Sequence, residues 1–135
     1  MNRLTRTAAL AAALMATCLL TPGAPAHAAP PGAADWLSLT VTRPGTTGGG
    51  TRAALLLCDP PQGHPKAPQA CAELDAAEGD FSRLADPAAI CPLIYAPVTA
   101  RAHGRWNGHP ADFERTYGNA CELRAATGAV FALDD

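Results

Sequence analysis

The chain has 135 residues, and its 10 lysines and arginines against 12 aspartates and glutamates give a formal net charge of −2. That balance argues against partners held chiefly by phosphate neutralisation, so neither nucleic acid nor an anionic membrane is the expected ligand. The length suits one ordinary domain and is too short for two hydrophobic cores.

Residues 1–28 read as a signal peptide. Arg3 and Arg6 make a positive start, Ala8 to Leu20 is a run of apolar and small residues broken only by Thr17, and Ala26-His27-Ala28 is an A-x-A cleavage site. The run is shorter than the roughly 20 apolar residues a membrane span needs, and Pro22, Pro25, Pro30 and Pro31 follow it at once. Cys18 is not placed as a lipid anchor, because Leu19 and Leu20 continue the apolar run beyond it. The expected product is secreted and extracellular, with a flexible segment over 29–35 and one folded domain over 36–135. Loss of the leader removes two arginines and no acid, leaving eight bases against twelve acids and a net charge of −4.

Trp36 to Thr42 alternates apolar with small polar residues, the period of a half-buried strand. Gly48 to Gly50 follow without a P-loop lysine and predict a hairpin loop, not a phosphate cradle. A second strand spans Arg52 to Cys58, with Leu55, Leu56 and Leu57 expected in the core. Asp59 to Pro68 holds Pro60, Pro61, Pro65 and Pro68 and predicts an irregular surface loop. Gln69 to Ala77 is rich in helix formers and is expected to stop at Gly79, and Phe81 and Leu84 form a turn beneath it.

Ile90 to Val98 is the unusual segment. Its sequence, Ile-Cys-Pro-Leu-Ile-Tyr-Ala-Pro-Val, favours an extended backbone whose two prolines prevent full pairing in a sheet. Asn107-Gly108 then predicts a tight hairpin between Ala100–Trp106 and Pro110–Tyr117. Asn119 and Glu122 have the spacing of a capping box for a helix over Ala120–Thr127 ended by Gly128. Ala129 to Leu133 reads as a last strand and Asp134-Asp135 as a solvated tail. Strands without a βαβ rhythm predict an α+β fold: an antiparallel sheet of about five strands with two short helices.

Four cysteines lie beyond the leader, Cys58, Cys71, Cys91 and Cys121. In an oxidising compartment two disulfides are the default, and three connectivities are open. Locality alone favours Cys58 with Cys71 and Cys91 with Cys121, closures contributing about 3 and about 4 kcal/mol on chain-entropy grounds. A zinc site from Cys58, His64 and Cys71 fits no common spacing. A hydrolase pairing Cys91 or Cys121 with His103 or His109 would consume the same cysteines, and no other nucleophile-base pair presents itself. No enzyme activity, metal or cofactor is expected.

The segment from Cys91 to Val98 resembles the reactive-site segment of the streptomycete subtilisin inhibitor family. Cys71-Ala72-Glu73-Leu74, Gly104-Arg105-Trp106-Asn107-Gly108, Phe113-Glu114-Arg115 and Asn119-Ala120-Cys121-Glu122 fall in that family's order. The resemblance implies an inhibitor of extracellular subtilisin-like serine proteases, with an apolar anchor that chymotrypsin-like pockets should accept as well. It implies a reactive bond between Leu93 and Ile94, protease contacts from Ile90, Cys91, Pro92 and Tyr95, and loop support from Asn119. It also implies the Cys58–Cys71 and Cys91–Cys121 pairing and a homodimer formed through a sheet face. Leu93 and Ile94 stand where the best-known member has methionine and valine, and Ala96 where it has an acid; these departures bear on specificity more than on mechanism. The alternative is a secreted binding or cell-surface module without inhibitory activity.

Overall fold

The computed structural model describes residues 34–45 and 49–134. The leader, most of the 29–35 segment, Gly48 and Asp135 lie outside the described residues. The elements are β1 (Trp36–Arg43), β2 (Gly50–Cys58), β3 (Pro61–Gln62), α1 (Ala67–Ala76), a 3-10 helix (Phe81–Leu84), β4 (Val98–Trp106), β5 (His109–Tyr117) and α2 (Ala120–Thr127). They form an α+β fold, a five-stranded sheet in the order β3-β2-β1-β4-β5 in which each neighbouring pair is antiparallel.

One face of the sheet carries the core, and strand alternation decides which residues enter it. Leu37, Leu39 and Val41 of β1 and Val98, Ala100 and Ala102 of β4 are all buried, while Ser38, Arg101 and His103 point the other way. The helices and the chain after α2 close over this face with Leu74, Leu123, Val130 and Phe131. Phe81 stacks on Phe113 at 4.7 Å between ring centroids and touches Phe131 at 6.1 Å, so the 3-10 helix does tuck beneath α1 and against β5. Trp106 is buried, as its place in β4 requires, and His103 and His109 are exposed.

Four sequence expectations need correction. Leu55, Leu56 and Leu57 do not enter the core together: Leu56 is buried, Leu57 is half-buried and Leu55 is 49% exposed, because successive strand residues face opposite sides. The proline-rich stretch is not wholly irregular, since Pro61 and Gln62 pair with Cys58 and Leu57. Proline fits there because β3 is an edge strand, and Pro68 fits the first turn of α1. Ala129–Leu133 is not a strand. Ala129, Val130 and Phe131 are buried in succession and their backbone closes tight turns, Val130 N–H to Thr127 O and Ala132 N–H to Ala129 O. Nor is Asp134 a free tail residue: its carboxylate accepts from Arg43 and, at 3.0 Å, from Arg52.

Two turns show why particular residues stand where they do. Asn107 and Gly108 both have positive φ, 48° and 78°, as a two-residue turn matched to the twist of β4 and β5 demands. α1 ends one residue earlier than glycine placement suggests. Glu78 takes the left-handed position at φ 56°, with Glu78 N–H to Asp75 O and Gly79 N–H to Leu74 O closing the helix end. Gly79 is needed for a second reason, since a Cβ there would lie 2.5 Å from Trp106 Cδ1.

Candidate functional site

Between the 3-10 helix and β4 the chain runs without regular structure, and here the burial pattern inverts. Ile90, Leu93, Ile94 and Tyr95 are apolar or aromatic yet 95%, 102%, 62% and 85% exposed. Pro92 is exposed as well, and only Cys91 and Pro97 are half-buried. A folded chain gains nothing from holding four large apolar side chains in water, so a contiguous row of them marks a surface built for a partner.

The row is held from beneath at several points. Cys91 is bonded to Cys121 in the first turn of α2, with Cα atoms 5.6 Å apart. The second bridge, Cys58–Cys71, ties the end of β2 to α1, so both pairings favoured by locality are present. Neither pair is available as zinc thiolates, and among the described residues no group of three or more His, Cys, Asp or Glu side chains is placed to hold a metal. Ahead of the row, Asp86 N–H donates to Ala125 O at 2.7 Å, which ties the incoming chain to α2.

Asn119 meets the row at its centre. Its Nδ2 donates to Pro92 O at 3.1 Å and to Ile94 O at 2.9 Å, the two carbonyls on either side of Leu93. Its Oδ1 accepts from Glu122 N–H at 3.0 Å and so caps α2. One amide therefore both caps α2 and contacts the exposed row. The cap uses the oxygen end and leaves the nitrogen end, a pure donor, facing two acceptors. With Asn119 only 6% exposed, these bonds are sheltered from water.

Behind the row, Ala96 N–H donates to Gly118 O at 2.8 Å, and Gly118 N–H donates to Glu122 Oε2 at 2.9 Å. The capping box foreseen between Asn119 and Glu122 is thus displaced: the glutamate reaches past the cap residue to the one before it. The Asn119–Glu122 spacing revealed the cap, but nothing in local spacing pointed to Asp86–Ala125 or Ala96–Gly118, which join segments far apart in sequence.

This arrangement presents Leu93 fully to solvent on a backbone fixed on both sides by a disulfide, a side-chain amide and prolines. It has the form of a protease substrate that has already been ordered. The family model described as subtilisin inhibitor-like matches residues 33–119. A Streptomyces avermitilis protein carrying the provisional name serine protease inhibitor is 48% identical over 96% of this chain and 89% of its own. The subtilisin inhibitor of Streptomyces albogriseolus is 40% identical over 91% of this chain and 88% of its own. Among solved structures, Streptomyces caespitosus sermetstatin, crystallised in complex with Bacillus licheniformis subtilisin, superposes with a TM-score of 0.59 at 32% identity, covering 73% of this chain and 97% of that one. The chain belongs to the subtilisin inhibitor-like family.

Proposed function

We propose that this chain is a secreted inhibitor of subtilisin-like serine proteases that binds as a substrate does, with Leu93–Ile94 as the reactive bond. The observation that carries this reading is Asn119, whose amide bridges the carbonyls flanking Leu93 while Ile90, Leu93, Ile94 and Tyr95 face out. Ile90, Cys91, Pro92 and Tyr95 then line the protease subsites and Leu93 fills the primary pocket. Burying a leucine there is worth about 1.5 to 3 kcal/mol.

Rigidity turns a substrate into an inhibitor. Pro92, Pro97, the Cys91–Cys121 bridge and Asn119 impose order before binding, so little conformational entropy remains to be lost on complex formation. If the enzyme does cut Leu93–Ile94, both new ends stay tied to the same floor, and proximity favours resealing over escape. The relative crystallised with subtilisin supports a subtilisin-type target. The leader-like residues 1–28 support export, and the uncovered sheet face bearing Leu55, Arg101 and His103 supports the homodimer that the family resemblance implies.

Exchange of the anchor tests the assignment. Leu93→Lys places a cation where a trypsin-like pocket holds an acid, so it should weaken subtilisin inhibition by tenfold or more, equal to about 1.4 kcal/mol, and create inhibition of trypsin. Unchanged preference for subtilisin in competition assays would remove Leu93 from the primary pocket.

A further inference from the structure

The bonds on the far side of the reactive segment differ from those on the near side. The near side has a covalent tie, Cys91–Cys121, whereas the far side is held by Asn119 to Ile94 O and by Ala96 N–H to Gly118 O. Gly118 is itself fixed by its neighbour, because its N–H donates to Glu122 Oε2. The contact is close enough that a Cβ on residue 118 would lie 2.8 Å from that oxygen. The glutamate side chain is therefore seated in the space a larger residue at 118 would fill.

We propose that Glu122 is a positioning residue for the resealing reaction, acting through Gly118 to hold Ala96 and so the amine released at Ile94; this rests on the inhibitory reading above. In that reaction the protease serine attacks the Leu93 carbonyl carbon, the Leu93–Ile94 C–N bond breaks, and the serine proton passes through the enzyme histidine to the Ile94 nitrogen. Resealing is the reverse: the Ile94 amine attacks the acyl carbon, and the serine oxygen leaves and regains its proton. Hydrolysis wins when water takes the place of that amine. The released strand is free at Ile94, is tied at Ile94 O by Asn119, and rejoins the sheet at Val98. Ala96 lies between these two, and its bond to Gly118 sets how far the amine swings. Removing the Glu122 carboxylate leaves the Asn119 cap intact, since that cap uses the backbone N–H of residue 122.

The test uses the full domain carrying Glu122→Ala, Glu122→Gln, Gly118→Ala or Glu73→Ala. Glu73 is the matched control: its carboxylate likewise accepts a backbone N–H, from Ala129 at 2.7 Å at the other end of α2, and its other partner is Gln69, so it bonds to no residue of the reactive segment. Two quantities are read, the rate at which catalytic subtilisin converts intact inhibitor to the Leu93–Ile94-cleaved form, and hydrogen exchange of the Ala96 amide in the free protein. Glu122→Ala should raise both about tenfold, the scale of one lost hydrogen bond. Gly118→Ala should do the same by displacing the carboxylate, and Glu122→Gln, which keeps an acceptor oxygen, should restore most of the loss. Equal effects from Glu73→Ala would reduce Glu122 to a general stabiliser and overturn the proposal. A wild-type protein that failed to inhibit subtilisin at all would instead overturn the parent reading, whereas wild-type inhibition with Glu122→Ala indistinguishable from it would overturn the positioning role alone.

Discussion

Asn119 joins the helix to the loop because its amide has two chemically different ends. The oxygen accepts from Glu122 N–H and the nitrogen donates to Pro92 O and Ile94 O. Substitutions separate the two tasks. Asn119→Asp keeps the cap but turns a nearly buried carboxylate oxygen toward two carbonyls, so it should lower thermal stability and weaken subtilisin inhibition by tenfold or more, about 1.4 kcal/mol. Asn119→Ala should lose both the loop contact and the cap, the latter costing about 1 kcal/mol in denaturant unfolding. If Asn119→Asp inhibited as well as the wild type, the amide would be a cap and nothing more. The cap was legible in sequence from the three-residue spacing to Glu122. The loop contact was legible only through family resemblance, since no local pattern brings residue 119 to residues 92 and 94.

The elements divide in the same way between local and distant causes. Strand alternation, the Asn107-Gly108 turn and both helices follow from nearest-neighbour rules, and the structure has them within a few residues. Ala129–Leu133 escaped those rules because its side chains enter the core in succession, as a covering turn and not as a strand. Pro61–Gln62 escaped them because two residues at a sheet edge leave no periodic signature. The leucine run in β2 offers a direct check on alternation. Leu56→Ala should cost about 2 to 5 kcal/mol by cavity formation, whereas Leu55→Ala, half exposed on the opposite face, should stay within about 0.5 kcal/mol in the monomer. The two disulfides should also part company. Replacing Cys91 and Cys121 should convert the segment around Leu93 into an ordinary substrate, digested by subtilisin in minutes by mass spectrometry. Replacing Cys58 and Cys71 should lower stability by about 2 to 5 kcal/mol while leaving the segment around Leu93 anchored.

Taken whole, the molecule is a sheet covered on one face, with its exposed apolar segment carried where the end of β5 meets α2. The covering layer is fastened at its end by Asp134, which accepts from Arg43 of β1 and Arg52 of β2. The hydrogen bond from Arg43 is the main cause that holds the Asp134 carboxyl below its ordinary value of 3.8, with Arg52 adding to it. A depressed folded-state pKa means a contribution present above the unfolded value and lost as pH falls through the folded one. Asp134→Asn should therefore lower the melting temperature at pH 7 and leave it nearly unchanged at pH 2. The effect should stay under about 1 kcal/mol, because 41% of the side chain meets solvent. An equal difference at both pH values would place the stabilisation elsewhere. Fold class was readable from the 135 residues, because strand periods, cysteine spacing and proline placement are local marks; the exposure of the segment around Leu93 was expected through the family resemblance, since the residues alone favoured a strand there. The floor beneath the segment was not readable, because it is made of single hydrogen bonds between residues that only the closed fold brings together.

The measurement that bears most directly on this account is a titration of subtilisin with the domain beginning at residue 29, followed by mass spectrometry of the inhibitor recovered from the complex. An inhibitor of the proposed kind gives stoichiometric loss of protease activity and slow cleavage confined to the Leu93–Ile94 bond. Rapid digestion at several sites, or full protease activity at molar excess, would contradict the inhibitory reading.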